Sequence, residues 1–156
     1  MTAERAAAAL DAAGIDYETT RHGPAGSLAE AAALRGVEPG DLIKTLVLRR
    51  AADDYVLVLV PGDRVISWPR LREFLGVSRM SMPDAEVARD VTGYERGTIT
   101  PFGTLTRLPV VADVRVAEPR RRVSIGGGDH GVGATLDTQD LIRAVDARVA
   151  DVTDPP

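Results

Sequence analysis

Helix signals and strand signals alternate along this chain, and together they predict a mixed α/β domain. Capped or alanine-rich stretches stop on glycines, the usual ending of a helix. Two almost wholly apolar runs, Leu46-Val47-Leu48 and residues 55–60, flank a polar turn at 51–54. Strands that are apolar on both faces are buried on both, which calls for helices packed on the sheet. With 156 residues the chain is long enough for one core, so a single domain over 1–156 is expected.

The elements follow in order. Residues 2–13 are alanine-rich and should form a helix ending at Gly14, with a short strand over 15–20 after it. Ser27 and Glu30 have capping-box spacing, so a second helix is expected over 28–35, stopped by Gly36. The Lys44 strand and its partner at 55–60 should form a hairpin. Ser67 can cap a helix over 69–75 closed by Gly76, and another helix is expected over 81–91. Residues 93–103 carry too many breakers for regular structure. Strands are expected at 108–112, 114–116, 123–125 and 134–136, around a second glycine-dense loop at 126–133. A last helix should run from Asp137 to about Ala147, leaving 152–156 as a frayed tail.

Bulk composition narrows the function. Net charge −4 and aromatic content of 4% argue against a nucleic-acid binder held by phosphate contacts or base stacking, but not against an enzyme touching one end of an RNA. Without cysteine there is neither a thiolate nucleophile nor a Cys-ligated zinc site, and two distant histidines have no metal-ligand spacing. Neither a metal nor a cofactor is expected. A signal-peptide core and any membrane-length apolar run are missing, so the expected location is cytoplasmic, with no membrane partner.

One residue stands apart. Eighteen of the 19 basic side chains are arginine, and the single lysine is Lys44, at the start of the apolar strand. An ammonium is compact and rotatable, and it shifts its pKa when buried, so this position points to a small point-charge donor where Arg does not fit. The two glycine-rich loops supply the other chemistry, because glycine lets backbone N–H groups approach a ligand closely. Neither loop matches a P-loop, and no serine-hydrolase elbow is present. His130, between glycines and beside Asp129, is a candidate proton shuttle or ligand orienter, whereas His22 reads as a surface residue. The Arg120-Arg121-Arg122 run precedes a strand, which turns alternate arginines to opposite sides.

These residues, in this order, resemble the YbaK/prolyl-tRNA synthetase-associated domain family. The resemblance is carried by Ile43-Lys44-Thr45-Leu46, by Thr92-Gly93-Tyr94 with Gly97 and Thr100-Pro101-Phe102-Gly103, and by Leu108–Asp113, the 128–131 loop and Asp140-Leu141. It implies a curved, partly closed mixed sheet surrounded by helices. It also implies trans-editing, the hydrolysis of the ester joining a wrong amino acid to the 3′ adenosine of a tRNA, often tRNA for proline. By that resemblance Lys44 is the catalytic residue, and Gly97, Thr98, Thr100, Pro101, Phe102, Gly103, Gly127, Gly128, Asp129, His130 and Gly131 bind substrate. The expected partners are the 3′ end of a mischarged aminoacyl-tRNA and an aminoacyl-tRNA synthetase or elongation factor. Thr98 stands where many relatives have a second glycine, and the 126–131 loop lacks their arginine, so cysteinyl, alanyl, seryl and threonyl esters all stay open. The rival reading is a non-catalytic module of the same fold that binds a tRNA end, a nucleotide or a synthetase.

Overall fold

A computed structural model describes residues 2–156. Helix α1 (Thr2–Ala12) leads to β1 (Tyr17–Arg21), and α2 (Leu28–Leu34) starts at Ser27, whose hydroxyl accepts a bond from the Glu30 amide. The long hairpin of β2 (Ile43–Ala51) and β3 (Asp54–Pro61) is the frame of the molecule. Its turn holds Asp53 at φ 58°, a left-handed conformation that Asp tolerates better than most side chains. Next come β4 (Val65–Ile66), α3 (Trp68–Leu75), α4 (Ala85–Thr92) and β5 (Val110–Asp113). The chain closes with α5 (Val114–Ala117), β6 (Arg122–Gly126), β7 (Val132–Asp137), α6 (Thr138–Ala144), β8 (Arg148–Ala150) and β9 (Thr153–Asp154).

The strands form three open sheets, ordered β2-β3-β5-β8, β1-β7-β6 and β4-β9. The four-stranded sheet is mixed: β2 is antiparallel to β3, while β5 runs parallel to both β3 and β8. The expected mixed α/β class holds, and closure is limited to a parallel bridge between Leu42 and Ser124 that stitches two of the sheets together. Strand β3 explains the unbroken apolar run. Leu57 and Leu59 point into one core cluster with Val47, Val110 and Ile125, while Val56, Val58 and Val60 point into the other beneath Leu71. Each such side chain contributes about 1.5–3 kcal/mol on burial.

Four expectations need correction. Residues 114–116 are not a strand but the helix α5, because the Asp113 carboxylate accepts the Arg115 amide at 3.0 Å and caps it. Helix α4 begins after Asp84 rather than at Ser81, whose amide and carbonyl are both bonded to Arg49 at 3.1 and 2.9 Å. The tail is not frayed. Val152 and Thr153 are fully buried, the Val152 amide donates to buried Asp113 at 3.0 Å, and Thr153-Asp154 pairs with β4. The last helix also stops at Ala144, so that Arg148–Ala150 can pair with β5. No helix among the described residues is long and apolar enough to cross a membrane.

Candidate functional site

Strand β2 is an edge strand, and its free edge opens onto a cleft of about 390 Å³. Gly97, Ile99 and Gly126 also line it, together with Leu28 and Ala31 of α2 and Arg35 at that helix's C-terminal cap. Positions 28, 31 and 35 follow the i, i+3, i+7 spacing of a helix face. Backbone parity shows what the edge offers. Arg49 spends its amide and carbonyl on Ser81, outside the hairpin, and the Leu57 amide, opposite Val47, donates across the far side of β3 to Pro109. Bonding direction alternates along an antiparallel strand, so the amides and carbonyls of Thr45 and Val47 also point outward, into the cleft. The Thr45 hydroxyl is buried there without a hydrogen-bond partner.

Lys44 lines the same cleft and is half-buried. Its Nζ donates to the Arg64 carbonyl at 2.9 Å, which leaves two of the three ammonium donors free. Burial lowers the Lys44 pKa below the ordinary lysine value, and nearby Asp63 opposes that shift. Arg35 and Arg96 complete the cationic lining, and among the described residues none of the three forms a salt bridge. Among the described residues no carboxylate lines the cleft, although the whole chain carries a net charge of −4. The positive field is therefore local.

A second, more open cleft of about 600 Å³ adjoins the first and shares Ala31, Arg35 and Gly97 with it. Both histidines of the chain, His22 and His130, line it. The Arg35 Nε–H donates to His22 Nε2 at 3.1 Å, so Nε2 carries the lone pair and Nδ1 the proton, which goes to the Gly23 carbonyl at 2.8 Å. His130 sits on the rim, 2.9 Å from the Glu95 carboxylate and largely exposed.

The family model of the aminoacyl-tRNA editing domain matches residues 22–144. The chain belongs to the aminoacyl-tRNA editing domain family. Among curated relatives, a proline–tRNA ligase of Heliobacterium modesticaldum is 37% identical over 100 residues, which are 64% of this chain and 16% of the ligase. The chain thus spans only a small part of such a synthetase. A multifunctional Ser/Thr-tRNA deacylase of Escherichia coli, ProXp-y, is 25% identical over 146 residues, 92% of this chain and 87% of that protein. A crystal structure of a proposed trans-editing enzyme for prolyl tRNA synthetase superposes with a TM-score of 0.87 at 25% identity, covering 98% of this chain and 97% of that one.

Within this editing domain the two glycine loops do meet. A Cβ on Gly126 would lie 2.5 Å from the Ile99 carbonyl oxygen, and the Gly128 amide donates to the Thr98 carbonyl at 3.1 Å. Of the residues expected to touch substrate, Lys44 and Gly97 line the first cleft, and Gly97, His130 and Gly131 the second. Thr98, Thr100, Pro101, Phe102, Gly103, Gly127, Gly128 and Asp129 line neither. Thr98, Thr100 and Phe102 are buried, Gly103 and Gly128 pack against buried Tyr94 and the α1 backbone, Gly127 turns the chain between β6 and β7, and Asp129 bonds the His130 amide. Arg120, Arg121 and Arg122 are engaged with Asp137, Asp41 and Glu18. Sequence reasoning missed Arg35, Thr45 and Arg96. The 28/31/35 spacing on α2 was the available signal for Arg35.

Proposed function

We propose that this domain is a trans-editing hydrolase that cleaves the aminoacyl ester at the 3′ end of a mischarged tRNA, with Lys44 as its catalytic residue. The observation that carries this reading is a cleft lined, among the described residues, by three cations that form no salt bridge and by no carboxylate, in a molecule of net negative charge. Such a site favours an anionic or strongly polar ligand over the apolar one its size alone would suit. The two free Lys44 donors face a ribose oxygen or the oxyanion that forms when water attacks the ester carbonyl. The outward amides of Thr45 and Val47 and the Gly97 and Gly126 backbone hold the ester while the bond to the ribose oxygen breaks. That oxygen leaves with a proton and the amino acid departs as carboxylate, so no protein nucleophile is needed. His130 and Gly131 border the path to the rest of the RNA, while the buried members of the two loops brace these walls.

The unpartnered Thr45 hydroxyl supports a side chain that can hydrogen-bond, and the likeness to a Ser/Thr-tRNA deacylase supports the same choice. Seryl and threonyl esters are therefore the proposed substrates, with tRNA for proline as a carrier because the curated matches include proline–tRNA ligases. A synthetase is the proposed partner; the comparisons offer nothing in favour of an elongation factor.

A panel of seryl-, threonyl-, alanyl- and cysteinyl-tRNA tests this. The seryl and threonyl esters should be cleared fastest, and Lys44→Ala should lower the rate about 100-fold, the scale of losing one oxyanion-stabilising donor. Absence of turnover on every ester would reject the hydrolase reading.

A further inference from the structure

Arg35 sits on the wall that the two clefts share, and its surroundings are unusual for a half-buried guanidinium. Every partner is neutral. Nε donates to His22, and one terminal nitrogen donates to the Ser124 hydroxyl at 3.4 Å and the Ile125 carbonyl at 3.2 Å. The other terminal nitrogen has no partner among the described residues. A carboxylate in place of His22 would orient the guanidinium equally well and cancel its charge; the neutral imidazole orients it and leaves the charge intact. Holding an uncompensated charge away from water is unfavourable, and a bound anion would offset it.

We propose that Arg35 is an anion anchor for the phosphodiester joining the terminal adenosine, seated in the Lys44 cleft, to the penultimate nucleotide, seated in the His22–His130 cleft. This rests on the deacylase reading and extends it by one nucleotide. A planar guanidinium suits the task because its paired donors match two phosphate oxygens. Among the described residues no carboxylate lines either cleft, the carboxylates Glu18, Glu38 and Asp41 lying instead in a separate opening that Arg35 also borders, and the second cleft has room for a nucleotide. His22 acts as a positioning residue, fixing the plane of the fork.

The test compares two substrates: a full mischarged tRNA, and the same amino acid esterified to adenosine, which lacks the phosphodiester. Arg35→Met should lower kcat/KM for the tRNA about tenfold more than for the adenosine ester, the scale of one charge-assisted hydrogen bond. Arg35→Lys should fail to restore the difference, and His22→Ala should shift the ratio in the same direction by a smaller factor. Equal losses on both substrates would overturn the proposal. If Arg35→Met does not fold, as judged by circular dichroism, the His22→Ala ratio decides alone, and an unchanged ratio then counts against the anchor. Calorimetric titration with CpCpA and with adenosine separates this idea from hydrolysis. Weaker CpCpA binding by Arg35→Met supports the anchor even if no ester is cleaved, whereas identical affinity for CpCpA sinks it even if deacylation is robust.

Discussion

The two sides of strand β2 are built for different purposes. Thr45 and Leu59 face one another across the hairpin, yet Leu59 lies on a strand paired on both sides and is wholly buried. Thr45 lies on an edge strand, with its amide turned to the cleft and its hydroxyl unpartnered. The paired side has its backbone groups satisfied and its apolar surface buried; the open side leaves the Thr45 hydroxyl without a partner among the described residues and two of the three Lys44 ammonium donors free. Unsatisfied groups of that kind reduce stability and persist where a ligand uses them. One hairpin thus holds both the centre of the core and the wall of the site.

Substitutions can break the comparison from either side. On the paired side, Leu59→Ala should destabilise the fold by about 2–5 kcal/mol, read as a shift of the urea midpoint. Its effect on the rate per folded molecule should be far smaller than that of Lys44→Ala. On the open side, Thr45→Val removes the orphan hydroxyl while keeping the shape. It should raise stability by about 1 kcal/mol and slow the release of serine or threonine more than that of alanine. A Thr45→Val protein that is less stable than wild type would mean that this hydroxyl has a partner after all.

Much of the paired side was legible in the sequence. The unbroken apolar run of β3, the Ser27 and Ser67 caps and the stops at Gly14, Gly36 and Gly76 are local signals, and all of them correspond to elements of the structure. Lys44 was legible because composition isolated it. The open side was not, since nothing local distinguishes an edge strand from a central one: that depends on which strand fails to pair with residues 44–48, a tertiary fact. Arg35 was hidden among eighteen arginines. The tail was missed for a related reason. Two residues, Thr153 and Asp154, carry no apolar alternation, and their order comes from contacts with Arg64 and with β4, far away in sequence. Glycine density misled in part, because it marked close backbone approach without saying to what; Gly103 and Gly128 approach their own chain.

The proposed hydrolysis depends on the Lys44 ammonium. Burial holds the folded-state pKa of that group below its unfolded value, so the charged form is disfavoured by folding. That destabilisation is fully present below the folded pKa and is relieved as pH rises towards the unfolded value. With the ammonium as the proposed catalytic group, activity should follow the opposite course. Single-turnover deacylation of a seryl- or threonyl-tRNA, corrected for spontaneous hydrolysis and followed against pH, tests this directly. The wild-type rate should fall on an alkaline limb centred below the ordinary lysine pKa, and Lys44→Ala should lose both the rate and the limb. A Lys44→Ala protein that keeps the wild-type rate and profile would contradict the account.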